Sequence, residues 1–293
     1  MFHRGTVFSS DKEVMQSVLK RQVEQSGKFP PDSTAESVAA VLADEITSKT
    51  IIITGVSPSG LGAEAARVIF KHNPKLLILA SRSKKAIDDT IVAIGGSSAS
   101  KNVRAVEFDL SDFKSVRKAA EEILETAPAV DVLINNAGIM MLPEFKTTKQ
   151  GNEMQFGVNH LGHFLFTNLL IPSLLQSPAG CVVNISSAGH RVSGVHLEDV
   201  NFSNGKTYEP FIAYGQSKSS NILFSVSLTH KLGKKGLRSF AVDPGAINTT
   251  GLNLGIPMEK KIEMGWWDTD GTPSANIPVH SRGGSIILYC RSF

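Results

Sequence analysis

The sequence predicts an α/β fold, a single doubly wound parallel sheet flanked by helices. Three observations predict it. Short apolar runs recur without polar alternation, as in Thr50–Thr54 and Cys181–Ile185, which is how strands buried on both faces read. Stretches of helical length separate these runs. Several runs end in glycine, asparagine or serine, as do strand ends that open onto a ligand crevice.

Residues 1–32 are polar and are expected to form a loosely ordered extension, within which Lys12 to Gln25 can form a short helix. The folded domain is expected over residues 33–293. It opens on Ser33-Thr34-Ala35-Glu36, a capping-box pattern ahead of Val38, Val41, Leu42 and Ile46. The first strand, Thr50–Thr54, runs into Gly55-Val56-Ser57-Pro58-Ser59-Gly60-Leu61-Gly62 and then a helix from Ala63 to His72. Glycines at such a turn let a pyrophosphate approach the helix N-terminus, where free N–H groups and the helix dipole favour anions. Strand, glycines and helix in that order describe a Rossmann-type nucleotide turn, with Gly55, Ser57, Gly60, Leu61 and Gly62 as its candidate binding residues.

The second strand, Leu76-Leu77-Ile78-Leu79-Ala80, leads into the basic turn Ser81-Arg82-Ser83-Lys84-Lys85. Val103 to Phe108 and the helix from Asp112 to Thr126 follow. Val132-Leu133-Ile134 ends in Asn135-Asn136-Ala137-Gly138, and Cys181-Val182-Val183-Asn184-Ile185 ends in Ser186-Ser187. Between them the apolar block from Phe164 to Leu175, broken by Thr167, Asn168 and Pro172, reads as a core or interface helix. Ser239 to Val242 is the sixth strand, and Gly284 to Cys290 can supply a last one.

The chemistry centres on Ala213-Tyr214-Gly215-Gln216-Ser217-Lys218. Residues four apart share a helix face, so the phenol and the ammonium can enter one pocket. A nearby cation favours phenolate and is expected to lower the tyrosine pKa, so that Tyr214 exchanges a proton near neutral pH.

From about Thr50 to Thr250 these residues together resemble the short-chain dehydrogenases/reductases. The segment from Ala213 through Asn221-Ile222-Leu223-Phe224 is similar to the retinol-dehydrogenase and WW-domain-oxidoreductase branch, as is the long insert between Ser187 and Tyr214. The resemblance implies a catalytic tetrad. Tyr214 would be the general acid/base, and Lys218 would bind ribose and tune the tyrosine. Ser187 would hydrogen-bond the developing oxyanion, and Asn159 would hold a water that relays protons to Lys218. It also implies cofactor contacts from Asp109 at the adenine, from Asn136, Ala137 and Gly138, and from Pro244, Gly245, Ile247 and Thr249 near the nicotinamide. An acidic residue after the second strand would hold a ribose 2′-hydroxyl, whereas an arginine suits a 2′-phosphate. No acid lies between the second strand and Asp88, so Arg82 in its basic turn points to NADP(H). The expected substrate is a small-molecule carbonyl or alcohol, and Phe202, Tyr208 and Phe211 of the insert suggest that it is apolar.

Two departures stand out. Four residues separate Gly55 from Gly60, one more than the family's turn carries. From about residue 252, through Trp266-Trp267 and Pro278 to Phe293, the ending matches no family pattern, as a truncated or mis-spliced C-terminus would. Such an ending favours the alternative reading, a cofactor-binding protein without turnover, either regulatory or decayed. An epimerase or dehydratase uses the same Tyr/Lys pair but with a different glycine spacing.

Composition excludes several classes. Thirty basic against twenty-seven acidic side chains impose no affinity for nucleic acid. No apolar run reaches the length of a membrane span, and Met1 to Lys12 shows no secretory pattern. Two cysteines suit a reducing, cytoplasmic compartment rather than a disulfide framework. His160, His163, His190 and His196 lack zinc spacing, so no metal is expected. A homo-oligomer built on the helices of Phe164 and Ile222 follows from the resemblance.

Overall fold

Parity decides which side of the sheet each strand residue serves. In the computed structural model, which describes residues 33–96, 101–245, 251–253, 256–272 and 274, six strands form one sheet. They are β1 (Thr50–Thr54), β2 (Leu76–Ser81), β3 (Val103–Glu107), β4 (Val132–Asn135), β5 (Cys181–Ile185) and β6 (Arg238–Val242). All neighbours pair in parallel, in the order β3-β2-β1-β4-β5-β6. This is the doubly wound Rossmann order, with its switch point between β1 and β4.

The helices are α1 (Ala35–Val41), α2 (Ala43–Ile46), α3 (Leu61–Phe70), α4 (Lys84–Ile94), α5 (Phe113–Thr126), α6 (Met154–Phe156), α7 (His163–Gln176), α8 (Pro210–Leu232) and α9 (Met258–Glu263). Ile51, Ile53, Leu77, Leu79 and Ile134 pack on one face with Val38 of α1, Val68 and Ile69 of α3 and Ile87 of α4. Ile52, Ile78, Leu133 and Val182 pack on the other with Val116 and Ile123 of α5, Phe166 and Leu170 of α7, and Phe224 of α8. Each such side chain stabilises the fold by about 1.5–3 kcal/mol on burial. The predicted single parallel sheet is therefore present, and the apolar block after Phe164 is a sheet-facing helix.

The first cap differs from the expected box. Thr34, not Ser33, is the N-cap of α1, and its hydroxyl accepts from the Ser37 N–H at 3.1 Å. Glu36 does not reach back to the cap. It pairs instead with Arg67 of α3, which also holds Glu64 at 2.6 Å. A tertiary cation thus outcompetes the local capping bond and ties α1 to the first sheet face. Residues 1–32, the expected helix there, and the expected strand from Gly284 to Cys290 lie outside the described residues. Among the described residues, no helix is long and apolar enough to cross a membrane, and no His/Cys/Asp/Glu group could hold a metal.

Candidate active site

Two turns meet where β1 and β4 part. Gly55 has a φ of +74°, and a Cβ there would lie 2.5 Å from the Ala137 Cα. A Cβ on Gly62 would lie 2.5 Å from the Gly55 carbonyl oxygen and 2.6 Å from Asn136 Nδ2. The glycine turn therefore packs directly on the Asn135–Gly138 turn because both positions lack side chains. Asn136 Nδ2 donates to the carbonyls of Thr54 and Gly55 at 2.8 and 2.9 Å. The Thr54 hydroxyl accepts the N–H groups of Asn136 and Ala137 at 2.9 and 3.0 Å. The extra residue is absorbed locally: Ser59 takes a φ of +61° and Gly60 N–H donates to the Ser57 carbonyl at 2.9 Å. Gly60 is the N-cap of α3 and provides no side-chain cap, so the first N–H groups of α3 are left for an anion. Leu61, half-buried, anchors this turn on the core.

The basic turn after β2 resolves into unlike parts. Lys84 pairs with Asp88 at 2.7 Å and Lys85 with Asp89 at 2.6 Å along α4. Ser83 caps that helix. Arg82 is exposed and has no ion pair among the described residues. After β3, Asp109 accepts the N–H and the hydroxyl of Ser111 at 2.9 and 2.7 Å.

The four predicted catalytic residues converge on the ends of β4 and β5. Tyr214 and Lys218 lie on α8, started by Pro210 and capped by Glu209, which accepts the Ile212 N–H. Lys218 Nζ lies 5.5 Å from the centre of the Tyr214 ring and donates to the Ile185 carbonyl at 3.0 Å. Tyr214 is hydrogen-bonded to the Ser187 side chain. Ser187 heads a short 3₁₀ turn, Ala188–Arg191, and its hydroxyl accepts the Gly189 N–H at 3.1 Å. A Cβ on Gly189 would press on the Tyr214 ring at 2.9 Å, and one on Gly138 would sit 3.3 Å from Asn159 Oδ1 and 3.7 Å from Lys218 Nζ.

One expectation is corrected here. The phenol was expected to be acidified by the lysine, yet burial outweighs every other influence and pushes Tyr214 up to about 12. The same desolvation pushes Lys218 down to about 8. Both charged forms lose water in this pocket, which is the dominant cost. Asn159, expected to hold a water, has most of its side chain committed. Its Nδ2 donates to the Ile139 carbonyl and the Ser217 hydroxyl, each at 2.9 Å, and its Oδ1 accepts the Ile139 N–H at 2.8 Å. One Oδ1 lone pair remains, as does one on the main-chain carbonyl, which faces His163 Nδ1 at 3.1 Å.

The three aromatics of the insert divide as well. Phe202 is buried and packs against His196 and Tyr208. Tyr208 packs against Phe145 and spends its hydroxyl on the Leu142 carbonyl. These two build the insert's own core. Phe211 stands stacked beside Tyr214, ring centres 6.5 Å apart, with Trp266 edge-on to it at 6.4 Å.

Several contributors were not singled out in the sequence. Thr54 locks the two turns. Ser217 links Asn159 to the Tyr214 carbonyl, to which it donates at 2.7 Å. Asp243 acts electrostatically on both Tyr214 and Lys218 and accepts the Gly245 N–H at 3.0 Å. The Asn-His-x-x-His spacing from Asn159 to His163 was the available signal for a shared helix face. Pro244 and Gly245 follow β6 beside the site, with Gly245 at a φ of +76°; Ile247 and Thr249 lie outside the described residues.

The residues present fit a dinucleotide: an α3 without a side-chain cap, a cradle that a Cβ would fill at Gly62, an Arg82 with no ion pair among the described residues and a floor of Gly138 against Lys218. Residues 49–258 match the family model described as short chain dehydrogenase. Human retinol dehydrogenase 13 is 39% identical over 212 residues, covering 72% of this chain and 63% of its own length. Mouse retinol dehydrogenase 12 is 38% identical, covering 69% of this chain and 63% of that protein. The chain thus spans less than two thirds of these relatives. A crystal structure of an uncharacterized protein from Mycobacterium paratuberculosis is 36% identical, covers 71% of this chain and 72% of its own, and superposes with a TM-score of 0.60. From the buried tyrosine–lysine pair to these likenesses the same conclusion follows: the chain belongs to the short-chain dehydrogenase family, on its retinol-dehydrogenase-like branch.

Proposed function

We propose that the chain is an NADP(H)-dependent oxidoreductase that interconverts a carbonyl and an alcohol on a small, apolar substrate. The observation that carries this reading is a buried phenol bonded to Ser187, with the Lys218 ammonium beside its ring. When bound, the nicotinamide supplies or accepts the hydride. Everything else is done by the chain. Burial keeps Tyr214 protonated at neutral pH, the state required of a general acid facing a carbonyl oxygen. Ser187 accepts the Gly189 N–H and shares a hydrogen bond with the Tyr214 phenol. With substrate bound, the Ser187 hydroxyl would turn to donate to the same substrate oxygen, a contact that strengthens as negative charge develops. Lys218 spends one N–H on Ile185 and keeps two for ribose hydroxyls above Gly138.

Gly55, Ser57, Gly60, Leu61 and Gly62 would hold the pyrophosphate, Asp109 the adenine edge, and Asn136, Ala137 and Gly138 the central ribose. Pro244, Gly245, Ile247 and Thr249 would flank the nicotinamide. The choice of NADP(H) rests on Arg82, because Lys84 and Lys85 are committed to Asp88 and Asp89. Phe211 and Trp266 support an apolar substrate, as does the retinol in the relatives' names. The expected homo-oligomer would join α7 and α8, where Phe164, Leu223 and Val226 are exposed.

Thermal unfolding with NADPH, with NADH and with neither tests the cofactor. A ligand at a hundred times its dissociation constant stabilises by about 2.7 kcal/mol. A larger shift with NADPH, followed by turnover in a screen of apolar ketones and aldehydes, is expected. A shift without turnover would move the reading to cofactor binding alone, and no shift would sink it.

A further inference from the structure

The geometry points to His163 as a positioning residue that fixes the main-chain carbonyl of Asn159 for its part in the proton path. This rests on the reductase reading above and deepens it. The Asn159 amide is largely committed, with both Nδ2 hydrogens and one of two Oδ1 lone pairs held by Ile139 and Ser217. Its carbonyl also lies in a stretch of altered helical pairing. Asn159 lies in a π-helical stretch, Gly157–Gly162, and the His163 N–H donates to the His160 carbonyl rather than to that of Asn159. An α-helix would have spent the Asn159 carbonyl on the residue four positions on.

The His163 ring takes that place. Its Nδ1 lies 3.1 Å from the Asn159 carbonyl oxygen and its Nε2 lies 2.9 Å from the Thr54 hydroxyl. The direction of both bonds follows from counting. A threonine hydroxyl has two acceptor pairs and one hydrogen. Thr54 already accepts from Asn136 N–H and Ala137 N–H, so its hydrogen is donated to His163 Nε2. The ring proton then sits on Nδ1 and is donated to Asn159. The ring is 2% exposed, and burial pushes its pKa down to about 3, with Lys218 and His160 as the charged or titratable neighbours that further disfavour protonation. A neutral imidazole with both nitrogens used is the state this count requires.

One ring therefore joins the cofactor turn, through Thr54, to the tetrad, through Asn159. A histidine that merely filled the core would leave turnover unchanged when its volume was kept, and this separates the two roles.

The experiment uses the full chain with NADPH and a carbonyl substrate from the screen. Nitrogen NMR of the wild type should show the Nδ1–H tautomer, unchanged from pH 5 to 8. His163→Phe keeps a ring and removes both bonds. It should lower kcat tenfold or more while KM and the NADPH melting shift stay within about twofold. His163→Gln, whose amide can donate to Asn159 and accept from Thr54, should recover most of kcat. An Nε2–H tautomer, or an imidazolium at pH 6, overturns the proposal. So does a folded His163→Phe with wild-type kcat. If His163→Phe does not fold, the tautomer decides. A wild type that shifts with NADPH but reduces no carbonyl sinks the reductase reading and this role together. Normal wild-type turnover beside an unimpaired His163→Phe sinks this role alone.

Discussion

The two halves of the sheet hold their functional groups by different means. On the β1–β3 half, the site is made of backbone: Gly55 and Gly62 pack against Ala137 and Asn136 with no room for a Cβ, and the tip of the glycine turn at residues 57–59 is exposed. On the β4–β6 half, it is made of buried polar side chains. Asn135 donates to Thr167 and Asn184, Asn184 to Ser225, and Asn159 to Ser217, all at 2.8–2.9 Å. A backbone site depends on side chains being absent, whereas a side-chain site depends on a network of such bonds, here made at each of these donors though not at Asn135 Oδ1. Thr54 and Asn136 stand at the seam and belong to both.

Substitutions can break or sharpen this contrast. The largest effect is expected on the side-chain half, where Tyr214→Phe removes the proton donor but keeps the ring. Turnover should fall by about 10²–10⁴-fold, with the NADPH melting shift intact; residual oxidoreduction near the wild-type rate would defeat the mechanism. On the backbone half, Arg82→Asp should cost NADPH about 1.5–3 kcal/mol, roughly tenfold to a hundredfold in affinity, and leave NADH little changed. Isothermal titration with both cofactors measures it, and equal losses for the two would remove the 2′-phosphate argument.

Gly62→Ala should destabilise by about 1–3 kcal/mol through overpacking and weaken both cofactors together. Gly194→Ala meets nothing within 4 Å and should stay within about 0.5 kcal/mol. Denaturant melts of the pair compare them directly.

Acid should act chiefly through the buried histidines of the catalytic half. Burial depresses His160 to about 4 and His163 to about 3. Between those values and the unfolded value near 6.5, the unfolded chain binds more protons than the folded one, so stability falls as pH falls through that window. Each histidine contributes a slope approaching about 1.4 kcal/mol per pH unit. Melting from pH 6.5 to 4.5 should show the loss, and His163→Gln should make it shallower. The smallest effect is reserved for Lys84→Ala: its partner is Asp88 on an exposed helix face, and such pairs contribute about 0.3–0.5 kcal/mol. A large loss of NADPH affinity in that variant would show that Lys84 leaves Asp88 for the cofactor.

Much of the site was legible because its signals are local. The glycine turn, Asn135–Gly138, Ser187 and the Tyr214–Lys218 spacing are each confined to a few residues at a strand end or on one helix turn. The pairing of Lys84 with Asp88 was legible too, from its i,i+4 spacing, and would have singled out Arg82. The inward packing of Phe202 and Tyr208 was not, because an aromatic residue reads alike whether it lines a pocket or fills a loop core. Nor was the capture of Glu36 by Arg67, thirty-one positions away.

The sequence by itself determined the parallel sheet, its order of strands and helices, and which chemistry-bearing residues meet at the strand ends. Periodicity, turn residues and helix spacing are properties of neighbours along the chain. The tertiary structure alone decided the electrostatic state of the pocket and the partners of its polar atoms. Desolvation sets Tyr214 high and Lys218 low, and the Thr54–His163–Asn159 bonds cross 109 positions of sequence between the first two residues. Burial and long-range hydrogen bonding depend on what the fold brings close.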